Sequence, residues 1–294
     1  MSEFFQQVVA GLGTGAIYAA LALALVLIHH ATGVINFAQG EMAMFTTYIA
    51  WTLMENHGWS FWPAFAVTLA FAFVLGLGIQ RVVIAPVSNA SVLTIVIMTI
   101  GLVLTFNGLA SLIWSAEVRA FPSPFPNETW QIGGVAISQQ DVGTFLTVVA
   151  LVALLWAFFQ FTKVGLALRA SALNPEASRL VGVRVGWMLA IGWGLAAMLG
   201  AVAGMLAAPT VFLDPNMMQA TLIYAFAAAV LGGIDSPFGA VVGGLLLGVG
   251  LNLIGAYVDF IGADLRLPVA LLIILVVLLV QPAGLFGKPV TRRV

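Results

Sequence analysis

Long apolar runs, each closed by a short polar stretch, set the plan of this chain. About nine of them, at roughly 4–28, 37–54, 61–80, 92–114, 142–162, 186–208, 218–234, 238–258 and 267–281, approach the ~20 residues a bilayer-spanning helix needs. Only HHATGV separates the first two, and only a turn around Asp235-Ser236-Pro237 separates the seventh and eighth, so either pair suits a partly re-entrant arrangement. The pattern predicts an all-α, polytopic transmembrane helical bundle of about 8 to 10 spans, with residues 1–294 forming a single transmembrane domain.

One segment departs from this pattern. From Lys163 to Arg184 the chain reads KVGLALRASALNPEASRLVGVR, a basic stretch with one acid, Glu176, between two membrane-length runs. Arg and Lys at bilayer depth cost several kcal/mol each, so the segment belongs at a water interface. Asn174 and Pro175 start a helix there and Gly182 ends it, which predicts a short helix lying across one face of the bundle. Leu166, Leu168, Leu173, Leu180 and Val181 give it an apolar side, and Arg169, Glu176 and Arg179 a polar one. A helix of this kind either rests on lipid headgroups or is a handle for a soluble partner.

The distribution of cations orients the bundle. With alternating spans, Arg81, the bases of 163–184, and Lys288, Arg292 and Arg293 share one side, which the positive-inside rule makes cytoplasmic. Only Arg119 and Arg266 fall outside, with Glu55, Glu117, Glu128, Asp141, Asp214, Asp259 and Asp264. The C-terminus is then cytoplasmic and, with an odd number of spans, the N-terminus is external. The largest external connection, about 115–141, is rich in proline and glycine and too short for a domain.

Composition agrees and excludes several classes of function. Of the 294 residues 62% are hydrophobic and 7% charged, against about a quarter charged in soluble domains. Ten bases against eleven acids supply no field for nucleic acid, and the lack of cysteine removes disulfide and thiolate chemistry. Three scattered histidines make no metal cluster, and no cofactor or metal is expected. The start lacks the basic n-region of a cleaved signal peptide. No catalytic pattern is visible: Ser, His and Asp form no nucleophile elbow, and GLFGKP (Gly284–Pro289) lacks the glycine spacing and the Ser/Thr of a phosphate-binding loop. The chain is therefore not expected to be an enzyme, and any ATP hydrolysis would lie on separate subunits.

Two polar clusters interrupt the apolar runs. In VINFAQGEMAMF, Asn36 and Gln39 suit a capping box that places Gly40 and Glu41 in a first helical turn. Glu41 then fits either a plain turn residue at the cytoplasmic interface or a residue lining or gating a path. In APTVFLDPNMMQ, Asp214 and Asn216 stand beside Pro209 and Pro215, as a plain external loop or the outer end of a substrate path. Gly11/Gly15, Gly200/Gly204, Gly239/Gly243 and Gly244/Gly248 each permit close helix crossing. Trp51, Trp59, Trp62, Trp114 and Trp130 sit near span ends, as an interfacial belt would.

Four blocks carry a resemblance: INFAQGEM (Ile35–Met42), GLALRASALNPEASRLVGV (Gly165–Val183), AAAVLGGIDSPFGAVVGGLLLG (Ala227–Gly248) and QPAGLFGKP (Gln281–Pro289). Together, in this order and spacing, they resemble the permease subunits of branched-chain amino acid ABC transporters, specifically the first of the two permease types. The resemblance implies a permease subunit of an ATP-driven bacterial importer in the inner membrane. Its implied partners are a second related permease, two cytoplasmic ATP-binding subunits and a periplasmic substrate-binding protein. It also implies that Gly165–Val183 is the ATPase-coupling segment, with Arg169, Ala170, Ala177 and Gly182 at the matching positions; Pro175, Glu176 and Arg179 belong to the same surface. The family also carries urea and short amides, and a sugar permease is a near relative in architecture. From the residues alone, a stand-alone gradient-driven carrier or channel and a structural subunit remain open readings. The near absence of charge within the runs argues against the carrier.

Overall fold

A computed structural model describes residues 2–88, 90–126, 128–258, 260, 262 and 265–287. The basic tail with Lys288, Arg292 and Arg293 lies outside the described residues, as do Asp259 and Asp264. Eleven helices are described: α1 (Ser2–Thr32), α2 (Gln39–Glu55), α3 (Phe61–Ile79), α4 (Val92–Trp114), α5 (Gln139–Phe161), α6 (Lys163–Leu173), α7 (Pro175–Leu180), α8 (Val185–Val211), α9 (Gln219–Gly232), α10 (Pro237–Tyr257) and α11 (Arg266–Val280). A π-helical turn at Gln80–Ile84 and a 3₁₀ turn at Ala85–Val87 extend α3.

Each apolar run read from the sequence corresponds to a helix. Six helical segments, Glu3–Thr32, Phe61–Val87, Val92–Trp114, Gln139–Phe161, Val185–Val211 and Pro237–Tyr257, are long and apolar enough to cross a membrane. Helices α9 and α11 are shorter, 14 and 15 residues. At 1.5 Å per residue they reach only about 21–23 Å against a hydrocarbon core of about 30 Å. Helix α2 has 17 residues. The nine-run pattern thus mixes full spans with short helices.

The described residues fall into two compact units, one within Met1–Val26, Pro122–Val148 and Gln219–Val294 and the other within Leu27–Phe121 and Val149–Met218. The first is built on glycine. Gly11 and Gly15 of α1 face Gly244, Leu245, Gly248 and Val249 of α10 backbone to backbone; a methyl on Gly11 would stand 2.6 Å from the Val249 Cα. Gly243 and Gly239 press α10 on the end of α9, at Ala228 and Gly232. Ser236 caps α10 by accepting from the Gly239 N–H at 3.0 Å, with Pro237 in its first turn. The chain after α11 then returns: Leu285 and Phe286 donate their N–H groups to the Leu231 and Gly232 carbonyls at 2.9 and 3.0 Å. Those carbonyls belong to the last turn of α9, whose orphan acceptors are satisfied in this way. The LGGIDSPFG and QPAGLFG blocks are therefore two halves of one joint.

The connection before α5 holds a feature absent from the all-α expectation. Thr129–Ile132 and Val135–Ser138 pair as a two-stranded antiparallel hairpin with Ile132 opposite Val135. Gly133 and Gly134 form its two-residue turn with φ of 60° and 79°, as a type I′ turn requires.

The second unit is organised round α8, almost entirely buried from Ala196 to Ala208. Gly76 of α3 and Gly194 of α8 let these helices touch, with Ala197 and Phe73 filling the space opposite. Gly200 and Gly204 admit α2, through Gln39, Ala43 and Thr47. Helices α4 and α8 are followed by Ser115 and Phe212, both non-glycine residues with positive φ. Just beyond these ends Arg119 and Leu213 exchange both backbone hydrogen bonds at 2.9 Å.

Candidate functional site

Two places in the second unit gather the residues singled out from the sequence. The first is the entry to α2. Backbone between Gly33 and Ala38 is non-helical, yet Val34, Asn36 and Ala38 are buried, the condition for irregular backbone at membrane depth. The expected capping box does not form. Asn36 Oδ1 accepts from the Ala38 N–H at 3.1 Å, and Gln39 reaches instead for α8, donating to the Ala196 carbonyl at 2.9 Å. Asn36 also donates to Gln39 Oε1 at 3.3 Å. Gly40 and Glu41 do occupy the first turn of α2, as expected.

Glu41 is buried within the bundle. Its relative exposure is 4%, and its Oε2 is buried without a hydrogen-bond partner. Asn107 of α4 and Asp214 are its polar neighbours. Asn107 also donates to the Pro215 carbonyl at 2.9 Å and to Asn216 Oδ1 at 3.0 Å. Asp214 Oδ1 accepts from the Asn216 N–H at 2.7 Å, which shapes the turn after α8. Asn107 stands seven positions before the end of α4 at Trp114, so the Asp214 turn meets α4 about 10 Å short of that end. Asn36, Gln39, Gly40, Glu41, Asp214 and Asn216 are therefore drawn together, with Asn107 as the link that sequence reading missed. A lone polar residue inside an apolar run was the available signal.

At the same end, Trp114 donates to Thr52 Oγ1 at 2.8 Å and stacks on Tyr48. Arg119 lies over the Trp51 ring at 4.6 Å and donates to the Trp114 carbonyl at 2.7 Å. Its contact with exposed Glu117, 3.7 Å, contributes little.

The second place is the basic segment. It folds as two helices, α6 and α7, rather than one. Thr162 caps α6 through the Gly165 N–H, Asn174 caps α7 through the Ala177 N–H at 2.9 Å, and Gly182 closes α7 with φ +85°. The expected apolar side is divided: Leu168 turns inward toward Gly192 of α8, while Leu173, Leu180 and Val181 are 84%, 89% and 80% exposed. Arg169, Pro175, Glu176, Ala177, Arg179 and Gly182 are exposed around them and Ala170 is half-buried. Arg169 donates to Gln160 at 3.3 Å. Ser171 and Ser178 are buried.

A many-span helical bundle with a buried polar break and an exposed amphipathic projection is the architecture of a membrane permease component. The profile of the branched-chain amino acid transport system permease component family matches residues 7–280, and the chain belongs to that family. It is 31% identical over 306 residues to the Escherichia coli K12 high-affinity branched-chain amino acid transport system permease protein LivH, covering 99% of this chain and 98% of that protein. The Pseudomonas aeruginosa counterpart BraD is 32% identical over 305 residues, with the same coverage. A probable LivH of Methanocaldococcus jannaschii is 29% identical, covering 91% and 87%. Among solved structures, PsaBC from Streptococcus pneumoniae in complex with Fab superimposes with a TM-score of 0.51 at 14% identity, covering 93% of this chain and 91% of that one, which supports the fold alone.

Proposed function

We propose that this chain is the membrane-spanning permease subunit of an ATP-driven importer for branched-chain amino acids or a related small amino acid or amide. Residues 1–294 act as one permease domain of a multi-pass protein in the bacterial inner (cytoplasmic) membrane, with the C-terminus cytoplasmic. The observation that carries this reading is the α6–α7 segment, whose exposed Leu173, Leu180 and Val181 are ringed by Arg169, Arg179 and Glu176. Exposed apolar side chains framed by charge suit a protein partner better than water. One of two cytoplasmic ATP-binding subunits docks there, a second related permease completes the path, and a periplasmic binding protein delivers cargo. Arg169, Ala170, Pro175, Glu176, Ala177, Arg179 and Gly182 transmit the nucleotide-driven movement. Asn36, Gln39, Gly40, Glu41, Asp214 and Asn216 line or gate the route.

The test is uptake and ATPase-subunit co-purification in the assembled transporter. Arg169→Glu and Gly182→Leu are expected to abolish either or both while membrane insertion is normal; wild-type behaviour of both variants would refute the docking role. Cysteine labelling to fix the side belongs at exposed Ala177, since Ser171 and Ser178 are buried.

A second reading is favoured by one observation, the buried Glu41 carboxylate with its unpartnered Oε2. Intramembrane carboxylates of that kind couple ions in gradient-driven carriers. Uptake by the purified chain in liposomes free of any ATPase, lost in Glu41→Gln, would decide for that alternative.

A further inference from the structure

A groove of about 460 Å³ opens between α6 and the start of α8, lined by Ala167, Val183, Arg184, Trp187, Met188 and Ile191. Its lining is apolar except for Arg184, and no acid belongs to it. Beside it, Arg81 lies over the Trp187 ring, its Cζ 4.5 Å from the centroid. Neither arginine has an ion-pair partner among the described residues. Arg81 comes from the π-helical turn at Gln80–Ile84, and such turns are frequent at functional sites. Gly186 leaves the room its guanidinium uses, since a methyl there would stand 3.2 Å from Arg81 Nη1.

The position of the groove decides what fits it. Val185 begins a membrane-length helix, so Arg184 and Arg81 mark the water interface while Met188 and Ile191 lie further along the span. Tryptophan at such a boundary is an interfacial anchor. A guanidinium over an indole can still pair with phosphate oxygens through its N–H groups. The groove therefore has one cation, Arg184, in its wall and a second, Arg81, against the Trp187 ring beside it, with an apolar wall running along the start of α8.

We propose that this groove binds an anionic phospholipid of the surrounding leaflet, its phosphate held by Arg81 and Arg184 and an acyl chain lying along Trp187, Met188 and Ile191. The lipid is then wedged beside α6, next to the exposed segment assigned to subunit docking. It does not depend on that assignment.

The experiment uses the assembled transporter in phosphatidylcholine nanodiscs, titrated with phosphatidylglycerol carrying brominated tails that quench nearby tryptophan. The share of quenching removed by Trp187→Phe reports the groove. Brominated phosphatidylglycerol is expected to quench that share at lower mole fraction than brominated phosphatidylcholine. Arg81→Gln with Arg184→Gln is expected to weaken this preference about fivefold for each charge removed. Ala167→Phe, which keeps both arginines and fills the wall, should lower quenching by either lipid. Equal quenching by the two lipids, an unchanged preference in the arginine variant, or full tail access in Ala167→Phe would each overturn the proposal. So would complete competition by millimolar inorganic phosphate, which would make the site a reader of the free anion. Loss of the ATP-binding subunits from the arginine variant with lipid preference intact would reassign the pair to a protein partner.

Discussion

The entry to α2 and the α6–α7 segment break the ordinary rule of burial in opposite directions. At the first, Asn36 and Gln39 are fully buried and hydrogen-bonded within their own turn and to α8, and Glu41 is nearly buried with its Oε2 unpartnered. At the second, Leu173, Leu180 and Val181 are almost fully exposed while Ser171 and Ser178 are covered. A buried polar group needs an internal partner because no water is available to it, so the first region is committed to its own fold. An exposed apolar group carries no such obligation, and its cost falls when another surface covers it. Damage to the packing of the first region should therefore appear in stability as well as function, and damage to the second in function alone.

The largest expected effect is at Gly204, where a side chain on α8 would meet the Ala43 carbonyl and Thr47 of α2. Gly204→Leu should push α2 off α8 at a cost of about 3 kcal/mol or more, read as lost expression or a much lower melting temperature in detergent. Leu180→Asp should do the reverse: the melt moves by no more than about 0.5 kcal/mol, as for ordinary surface changes, while uptake falls at least about tenfold. A large loss of stability there would mean that Leu180 belongs to the core in the assembled protein. The smallest effect tests whether the exposed segment has a fold of its own. Asn174→Ala removes the α7 cap and should cost about 1 kcal/mol locally, measurable as faster hydrogen exchange at Ala177 with an unchanged global melt.

What the sequence made legible follows how far each interaction reaches along the chain. The helices were readable because apolar run length is a local property, and so were the Asn174 cap and the Gly182 stop, whose partners lie within a few residues. The capping box failed because Gln39 prefers a carbonyl 157 positions away, which no local pattern reports. Asn107 was missed for the same reason: its partners Pro215 and Asn216 are 108 and 109 positions distant. The apolar side of the coupling segment was legible in composition but not in direction, since only the presence of α8 turns Leu168 inward and leaves Leu180 outside. The hairpin had its signal in Gly133-Gly134 between alternating residues, hidden by the proline-rich stretch before it.

The seam between α1 and α10, where Gly11 and Gly15 meet Gly244 and Gly248, is made of main chain on both sides. Glycine has no rotamers to freeze and presents no greasy side chain for a detergent tail to replace, so harsh solubilisation finds little there to compete with. This pair of helices should be the last piece of the protein to come apart when the lipid is stripped away.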